Sequence, residues 1–232
     1  MTTILGLKAE RGKNKGVILA SDMSSTYEFR DDKGDVIIKR QGRTQNQKIY
    51  MNNKGDFVVA MSGIRDDRYG DFLSELLKGK IDLCKCLKES YFPELSNLNL
   101  NRWNHTEPNK EVNELLIASR FNKEPKLYMC YMLGKIDEVA NLGQAIGSGK
   151  DFALRYASDN IGNLDPGHPG INLKKAIKVA YGAIERASED IYTGGADIAI
   201  VTPDEIKQYG KQINDPIKQA KRNALEKILK EY

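Results

Sequence analysis

Directly behind the initiator methionine stand two threonines, in MTTILGLKAERGKNKGVILASD, at the head of a run that reads as a strand. Threonine is small enough for methionine aminopeptidase to accept a Met-Thr start. Loss of Met1 would leave Thr2 with a hydroxyl and a free amine on adjacent carbons, a nucleophile and a base in one residue. An α-amine has a pKa near ~7.7–8, so a working fraction is neutral at pH 7 and can take the hydroxyl proton directly or through one water. The other reading of Thr2 and Thr3 is that they are β-formers opening an edge strand. Two more residues bear on the choice. Asp22 closes the second strand-like run, and Lys48 stands at the head of another. A lysine near the amine would favour its neutral form by like-charge repulsion and stabilise an alkoxide, and a carboxylate beside that lysine would keep it charged and aimed. Taken singly, Asp22 and Lys48 each read as surface residues.

Other chemistries find less support. Cys84 and Cys86 are too closely spaced for the usual zinc pair, Cys130 is alone, and only His105 and His168 exist to complete a site. They read as ordinary thiols, with no metal expected. GSGKD at 147–151 lacks the first glycine of a P-loop and carries Asp where Ser or Thr is needed, so neither a nucleotide nor another cofactor is expected. The 36 basic and 32 acidic side chains nearly cancel, to a formal charge of +4, and aromatics do not interleave with basic runs. That balance describes a solvated surface, not a nucleic-acid footprint. No apolar run approaches the ~20 residues that span a bilayer, and no leader precedes the first strand, so a cytoplasmic protein is expected.

The elements that must position these residues follow from periodicity. Thr3 to Leu7 and Val17 to Ala20 flank the polar turn ERGKNKG; TYEFRDDKGDVIIKR reads as a second hairpin; Lys48 to Met51 and Phe57 to Met61 make a third pair. Apolar residues at helical spacing follow over Asp66–Lys78 and, less regularly, over Ile81–Tyr91. The polar, turn-rich segment Pro93–Glu111 reads as a surface excursion. Strands return at Glu114–Ser119 and Lys126–Tyr131; helices are predicted over Lys150–Ser158 and Leu173–Glu189, a last strand over Ile198–Val201, and an amphipathic, Lys-rich helix over Pro216–Tyr232. Blocks of strands and helices argue for an α+β or layered fold, not for alternating βαβ units.

Six ordered motifs across most of the chain carry a resemblance. They are Thr2-Thr3-Ile4-Leu5, Leu19-Ala20-Ser21-Asp22, Lys48-Ile49-Tyr50, Ser62-Gly63-Ile64-Arg65-Asp66-Asp67, Ala145-Ile146-Gly147-Ser148-Gly149, and Asp190-Ile191-Tyr192-Thr193-Gly194-Gly195 followed by Ala196-Asp197-Ile198. Together the sequence resembles the proteasome β-subunit and HslV peptidase family of N-terminal threonine hydrolases. The resemblance implies a four-layer αββα sandwich over residues 2–212, with 213–232 as a helical C-terminal extension whose basic face is solvated or meets another subunit. It implies Thr2 as nucleophile and its amine as base, Asp22 and Lys48 beside that amine, and Ser148, Asp190 and Thr193 in the polar network that orients it. The backbone N–H at the Ser62/Gly63 turn would be the oxyanion donor. Thr26 would hold the substrate backbone, and Ala60 and Ile64 would wall an uncharged pocket for the side chain before the scissile bond.

The expected function is therefore hydrolysis of peptide bonds, in peptides or unfolded proteins, through an acyl-enzyme on Thr2. The family resemblance implies a homo-oligomeric ring and leaves room for an unfoldase ATPase, to which no residue of the sequence points. Two alternatives remain: a peptide ligase or transpeptidase using the same acyl-enzyme, and an inactive structural subunit. The hairpin from Tyr27 to Arg40 and the segment Pro93–Glu111 are longer than the family pattern.

Overall fold

The computed structural model describes residues 2–12, 14–22, 25–30, 36–42, 47–63, 67–103, 113–131, 133–188, 196–209 and 218–232. Six of its strands lie in the first 62 residues, as the alternation predicts: β1 (Ile4–Ala9), β2 (Gly16–Asp22), β3 (Ser25–Arg30), β4 (Val36–Gly42), β5 (Ile49–Met51) and β6 (Phe57–Ser62). β3 and β4 form a two-stranded antiparallel sheet of their own. The others enter two five-stranded sheets completed by β7 (Glu114–Ser119), β8 (Lys126–Cys130), β9 (Ile136–Glu138), β10 (Gly143–Ile146), β11 (Ala196–Val201) and β12 (Ile206–Gln208). One sheet runs β10-β1-β2-β11-β12, the other β5-β6-β7-β8-β9, and every pairing in both is antiparallel.

Strand periodicity of two sorts each sheet into two apolar faces, and the faces define the layers. Ile4, Val17, Leu19, Ala199 and Val201 of the first sheet meet Val58, Ala60, Leu116 and Leu127 of the second in a core between the sheets. The outer face of the first sheet, with Leu5, Leu7, Ile18, Ala20 and Ile198, is covered by α4 (Lys150–Ile161) and α5 (Leu173–Ser188). The outer face of the second, with Phe57, Val59, Met61, Leu115 and Ile117, is covered by α1 (Asp67–Leu77), α2 (Leu83–Glu89) and α3 (Pro93–Trp103). The result is the four-layer αββα sandwich. β2 is buried along its whole length because both its faces are covered and both its edges are paired.

The structure departs from the sequence reading at several points. Residues 93–103 form α3 and not a surface excursion; Pro93 occupies the first helical position, where its missing N–H is tolerated, and Leu95 and Leu98 point into the outer core. Its polar residues Ser96 and Asn99 are also buried, which masks the apolar face in the sequence. Strands β9, β10 and β12, of three or four residues each, are too short to declare a period.

The C-terminal helix, α6 (Lys218–Glu231), is seated on the same core as α5. Ile228 is fully buried there, flanked by the partly buried Leu225, Leu229 and Tyr232. The Tyr209 hydroxyl meets the Tyr232 hydroxyl at 3.3 Å, and Lys207 pairs with Glu231 at 3.3 Å. Ile228→Ala should therefore lower folding stability by about 2–5 kcal/mol, measured by denaturant unfolding. A helix that merely trailed from the domain would show no loss.

Candidate active site

The site assembles where the ends of β1, β2 and β10 come together. The β1–β2 register pairs Ile4 with Ser21, which places Thr3 beside Asp22. Asp22 N–H donates to the Thr3 carbonyl at 3.1 Å, and Thr3 N–H donates to Asp22 Oδ1 at 2.6 Å. The other carboxylate oxygen, Oδ2, accepts from Lys48 Nζ at 2.8 Å. The lysine and aspartate side chains are only 4% and 3% exposed. One carboxylate thus joins the peptide between Thr2 and Thr3 to the ammonium of Lys48, which comes from the opposite sheet. Both contacts are charge-assisted, the stronger class of hydrogen bond.

Thr2 itself is half-buried and is gripped from the β10 side. Pairing of Ile4 with Ile146 brings Gly147-Ser148-Gly149 against it. Thr2 N–H donates to Ser148 Oγ at 3.2 Å; that hydroxyl donates to the Thr2 carbonyl oxygen at 3.4 Å, and Gly149 N–H donates to the same oxygen at 3.4 Å. In the chain with Met1 attached this nitrogen belongs to a peptide bond; after Met1 removal the same atom is the α-amine. The two glycines are required by close approach. Gly147 has φ +87°, and a Cβ there would collide with the Thr2 carbonyl oxygen, while a Cβ at Gly149 would collide with Thr3 Oγ1. The Cβ position at Gly147 lies 3.4 Å from Ser62 Cβ, so the end of β6 reaches the same place.

Of the residues singled out in the sequence, Thr2, Asp22, Lys48, Ser148 and Ser62 are thereby brought together, and Gly63 follows Ser62 at the end of β6. Ala60 is fully buried between the sheets, opposite Ile49 and two residues before Ser62. Thr26 lies on β3, paired with Gln41. Ile64, Asp190 and Thr193 lie outside the described residues. The cysteines are free thiols, Cys86 and Cys130 buried, and burial pushes the Cys86 thiol up to about 11. Among the described residues no cluster of His, Cys, Asp and Glu could hold a metal ion.

Two residues near Lys48 received no role from the sequence. Asp197, at the start of β11, is buried, and the backbone N–H groups of Ile49 and Ile198 draw its pKa down. Gln208 of β12 donates through Nε2 to Asp197 Oδ2 at 3.0 Å and to the Ile49 carbonyl at 2.9 Å. Burial raises the Asp197 carboxyl from 3.8 to about 6, against the pull of these donors.

Two stacked antiparallel sheets between helical layers, with the N-terminal strand's threonine held against a buried Asp–Lys pair, define a sandwich of the N-terminal nucleophile hydrolase class. The proteasome subunit family model matches residues 2–201, and the chain belongs to that family. Subunits of this family assemble into oligomeric rings, and some of them are inactive. A search of curated proteins found no match. No helix among the described residues is long and apolar enough to cross a membrane.

The raised Asp197 carboxyl has a consequence for stability. Its folded pKa lies above its unfolded one, so the native state binds the proton more tightly, and stability is gained as pH falls from about 6 toward 3.8. Above pH 6 the buried charge is worth about 3 kcal/mol against the folded protein. Asp197→Asn should thus be more stable than the wild type in denaturant unfolding at pH 8, with the advantage shrinking by pH 5. An advantage that grew toward acid pH would contradict this sign.

Proposed function

We propose that this proteasome-family subunit is a threonine peptidase that hydrolyses peptide bonds through an acyl-enzyme on Thr2. The observation that carries the reading is the double grip on Thr2: Ser148 Oγ on its nitrogen and, one peptide further, the buried Asp22–Lys48 pair. Removal of Met1 turns the gripped nitrogen into the base. The amine takes the Thr2 hydroxyl proton as Oγ1 bonds to the substrate carbonyl carbon. Lys48, held on the carboxylate that accepts from Thr3 N–H, favours a neutral amine by like-charge repulsion. The tetrahedral oxyanion is received by backbone N–H at Ser62/Gly63, a kind of donor whose loss typically costs ~3–4 kcal/mol of transition-state stabilisation. Collapse breaks the C–N bond, and the ammonium returns its proton to the leaving amine. Water, deprotonated by the same amine, then resolves the ester and frees Thr2.

Asp190 and Thr193 complete the polar network in this reading, Thr26 holds the substrate backbone, and Ala60 and Ile64 wall an uncharged pocket. The functional unit is a cytoplasmic, homo-oligomeric ring that takes peptides or unfolded protein, with an unfoldase ATPase as the partner class for folded substrates. No cofactor takes part.

Thr2→Ala should abolish turnover of an unstructured peptide while leaving the unfolding midpoint unchanged; retained turnover would end the assignment of Thr2. Lys48→Ala should lower kcat by about 100- to 1000-fold. Because it takes the ammonium away from a buried carboxylate, it should also destabilise the fold by about 3–5 kcal/mol. The double variant Asp22→Asn/Lys48→Met removes both charges together; the account expects it to fold and to remain inactive. Product analysis with an added amine separates the acceptors: hydrolysis ends every acyl fragment in a carboxylic acid, whereas an acyl fragment capped by the added amine would make the protein a ligase. No turnover in the assembled wild type would leave an inactive structural subunit.

A further inference from the structure

We propose that Asp197 and Gln208 form a clasp around the backbone of Ile49 that positions the Lys48 ammonium on Asp22. The inference rests on the reading of Thr2 and Lys48 as catalytic, and it assigns Asp197 and Gln208 as positioning residues.

Lys48 presents a mechanical problem. Its ammonium is a point charge on a flexible four-carbon stem. It must reach from the head of β5 in one sheet to Asp22 in the other, at 2.8 Å and out of water. A buried ion pair is favourable only when its geometry is closely held. Yet β5 is a three-residue strand at the edge of its sheet, paired on one side to β6. An edge this short does not by itself fix the main chain from which the lysine springs.

The missing restraint comes from across the inter-sheet gap. Ile49 N–H belongs to the peptide bond that joins it to Lys48, and it acts on the Asp197 carboxylate, drawing its pKa down. The Ile49 carbonyl is taken by Gln208 Nε2 at 2.9 Å, and Gln47 Nε2 adds a local bond to the same oxygen at 2.7 Å. Gln208 Nε2 also bonds Asp197, so the two side chains brace each other. Asp197 pairs in register with Ser21, and its neighbour Ala196 pairs with Asp22. The same end of the first sheet therefore holds Lys48 at both extremes: Asp22 by the ammonium, Asp197 and Gln208 by the main chain.

The chemistry of Asp197 supports a carboxylate specifically. Gln208 Nε2 donates to both of its oxygens, at 3.2 and 3.0 Å, and the N–H groups of Ile49 and Ile198 favour its charged form. A carboxylate offers two acceptor oxygens; an asparagine has one oxygen and would turn an NH2 toward a donor. The charge is kept in the interior although, among the described residues, no salt bridge accompanies it. A group kept against stability fits a role in positioning.

The test compares wild type, Asp197→Asn and Gln208→Leu as assembled proteins at pH 8, by peptide hydrolysis and by reductive-methylation footprinting of lysines read by mass spectrometry. Both variants are expected to label Lys48 faster, with Lys126 and Lys135 unchanged, and to lose kcat by about 10- to 100-fold at constant KM. Asp197→Asn is expected to do so while gaining stability, which general structural damage would not produce. Unchanged Lys48 labelling in both variants overturns the clasp, and so does faster labelling with wild-type kcat. If the wild type itself turns over nothing, the peptidase reading fails, and the footprint alone decides the clasp.

Discussion

Everything at this site depends on one buried carboxylate that accepts from two directions. Asp22 holds the Thr3 N–H with one oxygen and the Lys48 ammonium with the other, and all three groups are shielded from solvent. Removing a carboxylate and an ammonium from water is expensive, and their mutual attraction offsets that only if each remaining lone pair finds a donor. The short bond from Thr3 supplies one such donor. It also ties the ion pair to the backbone of Thr2, so that the electrostatics of the site and the position of Thr2 are set by the same contact.

The layered fold explains why these groups can meet. Thr3 and Asp22 are neighbours because β1 and β2 are antiparallel partners in that register. Gly147, Ser148 and Gly149 arrive because β10 pairs on the other edge of β1, and the absence of a Cβ at both glycines lets that turn touch the Thr2 carbonyl and the Thr3 side chain. Lys48 comes from the second sheet, across an interior filled by Ile4, Leu19, Ile49 and Ala60. One interface serves the core and the candidate site alike: the apolar core sets the distance between the sheets, and the polar groups at its rim use that distance.

The sequence was informative where physics acts locally. β-branched alternation marked the first six strands, and apolar residues at helical spacing marked α1 and α5. Asp22 and Lys48 could be singled out because their charges stand at the ends of apolar runs. The reading failed where partners are distant or the buried face is polar. α3 was hidden because Ser96 and Asn99 lie on its buried side, and Asn99 spends its amide on the backbone of Asn113, accepting from Asn113 N–H at 3.2 Å and donating to its carbonyl at 3.1 Å. Gln208 was invisible because it meets Ile49 from 159 residues away, on a strand too short to show a period. Asp197 was legible as part of a motif, but its role depends on that same long-range meeting. Ser148 drew notice only through family resemblance, since GSG alone is common turn chemistry.

The central claim is that Thr2 carries a free amine and a nucleophilic hydroxyl. The most direct measurement is the intact mass of the purified protein before and after treatment with a peptide epoxyketone, which bonds to both groups of an N-terminal threonine. The account predicts a starting mass without Met1 and a single adduct that Thr2→Ala fails to form. A chain that retains Met1, or one that lacks it and takes no adduct in its assembled state, would contradict it.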